Sequence, residues 1–519
     1  MTTKRNLVFL TLVSMFFAAA WGRTFELDLR QPSSGGAKAR SRMLFAASPS
    51  GSDGKVRSYD LDAGAAEIGE VAVGDKISFS LFDDVVLTLT ISKRMPSCLG
   101  GEVFLAEVEG YGGIKSAVVL RTGDGLTVDV HDFLNKKMYK VMSAANGVRV
   151  QEIEPTGEAK CGCDSLASPS AASASGKKGL VGMSDSRAGG TLLGVQSDTC
   201  IDILVAYDRF AAQWADANGG GITNFAHVAV AKMNTAIANT GLDARFWFRL
   251  VGVTTVSVSA GDVYEALYAI DRNESGWADI KAFREVVGAD IVTTMIDTGS
   301  AYGITGAGWS LEAEGALDLF GNDAYNVCAV RSVAQSHTMT HECGHNMGAG
   351  HSTVQSADPG PQLYDYSSGY YFTGSDGKDY CTIMTYESDG PGGTQVPYFS
   401  SPDYLYAGVA VGDSMHDNSR TLAETYSHVA NWRDQKTPMS NYYRIAFYPG
   451  VEDVERSMDD QVVVVGTVAK LNRCAFVHPS GKRFAGWRRT DTNRRYDDGI
   501  MVFNLAGPGA VVAMEAVWE

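Results

Sequence analysis

A chain of 519 residues, 45% hydrophobic and 20% charged, is long enough for several domains with ordinary buried cores. Its formal net charge of −16, with no basic cluster, argues against nucleic acid or an anionic membrane as partner. Acidity at this level favours solubility and does not identify a substrate.

Residues 1–22 begin with Lys4 and Arg5, run through apolar residues from Leu7 to Ala20, and end in Ala20-Trp21-Gly22. An apolar run of about 14 residues falls short of the roughly 20 that span a bilayer. It reads as a signal peptide cut after Gly22 or Ala20, which predicts a secreted or cell-surface protein with no transmembrane segment in its mature chain. Residues 23–164 read as β-structure: Lys76 to Phe82 and Val86 to Ile91 alternate at period two, separated by glycine-containing turns. No ligand cluster occurs there. Lying between a signal peptide and the α/β region that follows, this segment is expected to be a propeptide. Residues 165–197, rich in Ser, Ala and Gly, read as a flexible linker, with Lys177-Lys178 a candidate cleavage point.

Residues 198–437 alternate strand and helix. Cys200 to Tyr207 is a buried strand, and Ile222 to Thr240 a helix with Phe225, Val228, Ala229, Met233 and Ile237 at helical spacing. Arg245 to Val251 is a strand, Val263 to Ile270 and Trp277 to Val287 are helices, and Asp290 to Ile296 and Asn326 to Val330 are further strands. Asp417 to Trp432 is a closing helix. These elements predict an α/β domain.

Within it lies Thr340-His341-Glu342-Cys343-Gly344-His345-Asn346-Met347-Gly348-Ala349-Gly350-His351. On a helix starting near Ser336, His341 and His345 leave the same face and can reach one metal ion. Glu342 sits beside that ion, and Gly348 can take a positive φ, ending the helix so that His351 returns as a third ligand. Three neutral imidazoles with one open position are the ligand set of one catalytic Zn2+ rather than a closed structural site. Zinc there would lower the pKa of a bound water, and Glu342 would serve as general base. The competing reading, a core helix with buried histidines, leaves three imidazoles and a carboxylate unpaired at a high cost. His227, His337, His416 and His428 read as structural or surface residues without companions.

The pattern His341 to His351 is the H-E-x-x-H-x-x-G-x-x-H signature, and the region resembles the metzincin zinc metallopeptidases. Cys381-Thr382-Ile383-Met384-Thr385-Tyr386 looks like their Met-turn, with Met384 a floor beneath the metal rather than a ligand. Gly344-His345-Asn346-Met347-Gly348 and Tyr398-Phe399-Ser400-Ser401-Pro402-Asp403 are closer to bacterial reprolysin-like (M12B-like) members than to matrixins. The resemblance covers roughly residues 198–434. It implies a twisted, mostly parallel sheet with a zinc helix, preceded by a propeptide that covers the site, and a protein or peptide substrate. Gly303, Ile304, Thr305 and Gly306 fall on the family's antiparallel edge strand, which offers backbone groups to an extended peptide. Tyr386 would hydrogen-bond the oxyanion, as in astacin-like members, or be plain structure. Cys161-Gly162-Cys163-Asp164 resembles a cysteine switch. A thiolate of Cys161 or Cys163, or the Asp164 carboxylate, would then close the open zinc position; a disulfide is the alternative. The relation of the zinc helix to the Met-turn favours a Cys343–Cys381 bridge, with Cys200–Cys328 second, although four cysteines allow three pairings.

Residues 441–519 differ from what precedes them. Tyr443 to Phe447, Phe484-Ala485-Gly486-Trp487, Tyr496 and Ala516-Val517-Trp518-Glu519 resemble the internalin-type B-repeat of bacterial surface proteins. That implies a small β-grasp-like module, with Trp487 and Trp518 in its core and a role in cell-envelope or host-surface contact. Two functions therefore compete: a secreted zinc endopeptidase made as a zymogen, and an adhesion protein with a vestigial protease domain. The complete ligand set and intact Glu342 favour the first.

Overall fold

The computed structural model describes residues 23–30, 54–61, 70–95, 99, 101–122, 125–144, 147–162, 199–435, 442–451, 454, 458, 461–464, 468–503, 505–507 and 510–519. The signal-peptide and linker expectations, together with Cys163 and Asp164, lie outside these residues.

The N-terminal segment is all β, as its period-two runs dictate. Its strands are β1 (Thr24–Asp28), β2 (Lys55–Leu61), β3 (Lys76–Phe82), β4 (Val85–Met95), β5 (Glu102–Val108), β6 (Lys115–Thr122), β7 (Gly125–Asp132), β8 (Lys137–Ala144) and β9 (Gly147–Glu154). They form one sheet in the order β1-β3-β4-β5-β6-β7-β8-β9-β2, antiparallel except for the β1–β3 pair. The sheet curls until its edges meet, where the Tyr59 hydroxyl on β2 donates to the Leu29 carbonyl just after β1. Ile77, Phe79, Leu89, Phe104, Val119, Val128 and Val150 fill the inside.

A short strand β10 (Ala159–Cys161) leads to the α/β region. There follow β11 (Cys200–Tyr207), α1 (Arg209–Asn218), α2 (Ile222–Asn239), β12 (Trp247–Thr255), α3 (Val263–Asp271), α4 (Ala278–Val287), β13 (Ile291–Ile296), β14 (Gly303–Gly308) and β15 (Tyr325–Ala329). Helices α5 (Val330–Gln335) and α6 (Thr338–Asn346) come next. The small strands β16 (Tyr371–Thr373), β17 (Asp379–Cys381), β18 (Thr394–Gln395), β19 (Leu405–Tyr406) and β20 (Val409–Ala410) precede α7 (Asn418–Val429). The central sheet runs β10-β14-β15-β13-β11-β12. Strands β12, β11, β13 and β15 are parallel, as buried β/α crossovers require, and β14 is antiparallel to β15. Helix α1, unforeseen in the sequence, starts at Asp208, whose side chain accepts from the Ala211 amide.

The two regions share a core. Met95, Val103, Leu105, Val118 and Leu120 pack on Val228, Ala231 and Trp247. This contact explains why α2 is buried around most of its circumference. Buried here is His227, whose pKa burial pushes down to about 4. Above pH 6.5 its ring is neutral whether the chain is folded or not. Between pH 6.5 and about 4 only the unfolded chain takes up the proton, so acid should destabilise the fold by about 1.4 kcal/mol per pH unit through this group. Thermal melts of the intact chain and of His227→Gln across that range should diverge as pH falls; parallel curves would refute the assignment.

The disulfides expected between Cys343 and Cys381 and between Cys200 and Cys328 are not formed: Cys328, Cys343 and Cys381 keep their thiols. The Cys343 Sγ turns to the sheet, 3.7 Å from Thr293 Oγ1 and 3.5 Å from Asn326 Nδ2. The Cys381 Sγ faces the Gly393 carbonyl at 3.5 Å. The helix carrying His341 and the turn carrying Met384 do meet, but through other side chains.

The C-terminal strands are β21 (Tyr442–Tyr448), β22 (Gln461–Val464), β23 (Val468–Lys470), β24 (Phe484–Arg489), β25 (Arg495–Tyr496), β26 (Met501–Phe503) and β27 (Val511–Trp518). Five of them form a sheet ordered β22-β21-β27-β24-β25, with β21 and β27 parallel, and β23 pairs with β26. Trp487 is fully buried, its ring 4.7 Å from Phe447 and 4.8 Å from Phe484, and Trp518 is partly buried beside Phe484. The aromatics are core, as expected, and no helix occurs among the described residues of this module.

Candidate metal centre and cleft

Helix α6 presents His341 and His345 one turn apart. It ends where Gly348 adopts φ +91°, and the chain returns with His351. The three Nε2 atoms converge: 2.9 Å between His341 and His351, and 3.1 Å for each of the other two pairs. Each Nδ1 is turned outward to an oxygen acceptor: Ile383 O at 2.8 Å, Gln362 Oε1 at 2.9 Å and Asp358 O at 2.9 Å, for His341, His345 and His351 respectively. Those acceptors fix the protons on Nδ1 and leave three Nε2 lone pairs facing one another. Three neutral rings so placed repel, and a cation at their common point reverses that. Nitrogens bound to a tetrahedral zinc at about 2.05 Å stand about 3.3 Å apart, close to the spacing here. The residues therefore fit the metal, and their outward hydrogen bonds are the supports that orient metal-binding imidazoles. Burial, reinforced by the neighbouring imidazoles, holds the His341 ring well below the usual histidine range, in the neutral form a ligand needs.

Glu342 points into the cleft beside these rings, and burial pushes its carboxyl well up. It packs directly on the backbone of β14: a Cβ added at Gly306 would lie 2.1 Å from Glu342 Oε1. Gly306 is thus glycine because the carboxyl occupies the space of its side chain. Below the helix, a Cβ at Gly344 would come within 2.8 Å of Met384 Sδ, so the turn containing the fully buried Met384 lies against the ligand helix. The Tyr386 ring stands 6.1 Å from His341, nearly parallel, and 5.1 Å from His351. His337 immediately precedes α6, its ring buried against that of His131. His416 and His428 do have companions, Asp413 and Asp318.

A cleft of about 590 Å³ runs past these groups, walled also by His131, Phe133 and Met138 of the N-terminal sheet. The chain's own residues 156–162 lie along it. Strand β10 pairs parallel with β14, the edge offered by Gly303, Ile304, Thr305 and Gly306, aligning Ala159 with Gly303 and Cys161 with Gly306. The amide of Gly162 donates to Gly306 O at 2.7 Å, and Tyr386 Oη donates to Cys161 O at 3.0 Å. Cys161 Sγ lies 3.3 Å from Glu342 Oε2, and it and the three imidazole nitrogens all fall within 4.8 Å of one another. Cys161 is not one of the free thiols among the described residues. Sequence reasoning missed Gln362 and Asp358, which have no spacing signature, and Glu158, whose carboxylate is bound by residues more than two hundred positions away.

The signature on α6 and the convergence of its imidazoles resemble those of the metzincin zinc metallopeptidases. Residues 197–400 match the family model Reprolysin_5, metallo-peptidase family M12. The chain is 26% identical over 274 residues to the peptidyl-Asp metalloendopeptidase of Pseudomonas aeruginosa, covering 46% of this chain and 41% of that protein. Among solved structures, a chaperone–substrate complex matches at 17% identity and TM-score 0.33, over 70% of this chain and 43% of that one. Metalloproteinase-II from Bacteroides fragilis matches at 9% identity and TM-score 0.35, over 68% and 91%. Superpositions this loose carry no weight on the fold. No helix among the described residues is long and apolar enough to cross a membrane.

Proposed function

We propose that the protein is a secreted zinc endopeptidase made as a zymogen, with residues 23–164 as propeptide. The observation that carries this is the convergence of three Nε2 lone pairs beside a buried carboxyl, with an extended stretch of the chain's own peptide paired on the adjoining β14 edge. Zinc, when bound, would polarise a peptide carbonyl and acidify a water. Glu342 then accepts the water's proton and returns it to the departing amine. Tyr386 donates its hydroxyl to the carbonyl oxygen, a role supported by its bond to the Cys161 carbonyl. The β14 edge binds substrate backbone where β10 now lies, so the zymogen is closed mainly by backbone pairing. Reduced, Cys161 would add a thiolate at the ligand point; in a disulfide it closes the cleft by bulk alone.

Aspartate at the cut, which the Pseudomonas relative's name specifies, is not part of this reading. The cations lining the cleft, Lys136, Lys137 and Lys160, all come from the N-terminal segments. Contact with a cell envelope through residues 441–519 remains a proposal resting on sequence resemblance.

N-terminal sequencing of the secreted form, with its zinc stoichiometry and casein hydrolysis, tests the whole. One zinc per chain and a new terminus after residue 162 are expected; an active, uncleaved chain would refute the zymogen. Cys161→Ala should raise cleavage of a short fluorogenic peptide by the uncleaved chain several-fold. No change would remove Cys161 from the closure.

A further inference from the structure

Resting on the peptidase reading, the geometry points to a carboxylate-binding subsite formed by the Glu387 and Ser388 amides and the Ser388 hydroxyl, which selects an acidic side chain in the substrate.

The pocket is visible because the chain fills it. Glu158 Oε1 accepts from the Glu387 amide and, at 3.3 Å, from the Ser388 amide, while Oε2 accepts from Ser388 Oγ. Lys160 Nζ stands 4.0 Å away on the same segment. Three donors aimed at two oxygens suit an anion, and two of them are backbone groups that no side-chain change can remove. The like charge on the same loop, Glu387, is turned to the Gln395 amide, from which its Oε1 accepts at 2.7 Å; its Oε2 pairs at 3.2 Å with Lys136, a partner that leaves with the N-terminal segment. The loop is held from behind by Tyr371, whose hydroxyl donates to Tyr386 O at 2.8 Å.

Residues 156–162 lie where an extended substrate would lie, so the side chains they insert map the subsites. Glu158 is three residues from Cys161, the residue beside the imidazoles. On an extended chain three residues span about 10 Å. A substrate running along β14 in either direction therefore brings one residue, away from the scissile bond, onto these donors. When the segment leaves, its carboxylate leaves too, and the donors are open to the substrate. The subsite thus serves twice: it anchors the propeptide and then reads the substrate.

The test uses the protein matured from the full chain, from which the segment bearing Glu158 has been cleaved and removed. Fluorogenic peptides with Glu or Gln scanned through each position are compared by kcat/KM. At a single position Glu should be preferred about tenfold, mainly through KM, and adding Ser388→Ala should shrink that ratio to about threefold or less. Equal rates for Glu and Gln everywhere, or a preference that survives Ser388→Ala unchanged, overturns the subsite. Amide hydrogen exchange at Glu387 and Ser388, in Glu342→Gln protein matured in trans by the wild type, reads occupancy without catalysis. Protection restored by the acidic peptide and not by its Gln counterpart supports the subsite even if no peptide is cut, an outcome that would sink only the peptidase reading. No protection by either peptide overturns the subsite itself.

Discussion

Glu342→Gln is expected to lower casein hydrolysis by the matured protein about a thousandfold while one zinc per chain is retained. Glutamine keeps the volume and the hydrogen-bonding shape of the carboxyl, so the space between α6 and Gly306 stays filled and the imidazoles stay in place. Only the capacity to take a proton is lost. The position is well suited to that capacity: burial pushes the carboxyl upward, and a cation among the neighbouring imidazoles would pull it back toward the range a general base needs. Metal analysis beside the rate measurement separates chemistry from assembly. Wild-type rates in the variant would remove Glu342 from the reaction. The same crowding predicts that Gly306→Ala cannot be a quiet substitution, since its methyl would meet Glu342 Oε1 at 2.1 Å.

Removing the metal should have the second large effect, on stability as well as activity. Without a cation the three Nε2 lone pairs stand about 3 Å apart with nothing to reconcile them. Zinc at a hundred times its dissociation constant stabilises a folded site by about 2.7 kcal/mol, which for a domain of this size is a melting shift on the order of 5–10 °C. A chelator is expected to abolish hydrolysis and lower the melting temperature by that amount, both reversed by zinc. His351→Ala should abolish the zinc-dependent shift. The ligands keep strong support from Ile383, Gln362 and Asp358, so the stripped domain should remain folded. A melting temperature indifferent to chelator would show that these imidazoles hold no ion.

Local pattern determined a great deal about this protein. Period-two alternation specified the N-terminal β-domain, helical spacing specified α2 and α7, and the offsets of His341, Glu342, His345, Gly348 and His351 specified the metal cluster. Such features are legible because strand and helix periodicities and a helix-stopping glycine are properties of neighbouring residues. Tertiary packing decided what depends on partners distant in sequence. The cysteines of the metal domain looked ready to pair, yet Cys343 turned to the sheet and Cys381 to a loop carbonyl, since proximity of segments does not fix the direction of a side chain. Nothing near Glu158, Gln362 or Asp358 marks them, because their partners arrive only when the chain folds back. Only the folded chain lays residues 156–162 along β14, for an edge strand offers unpaired backbone groups to whichever extended segment the fold delivers.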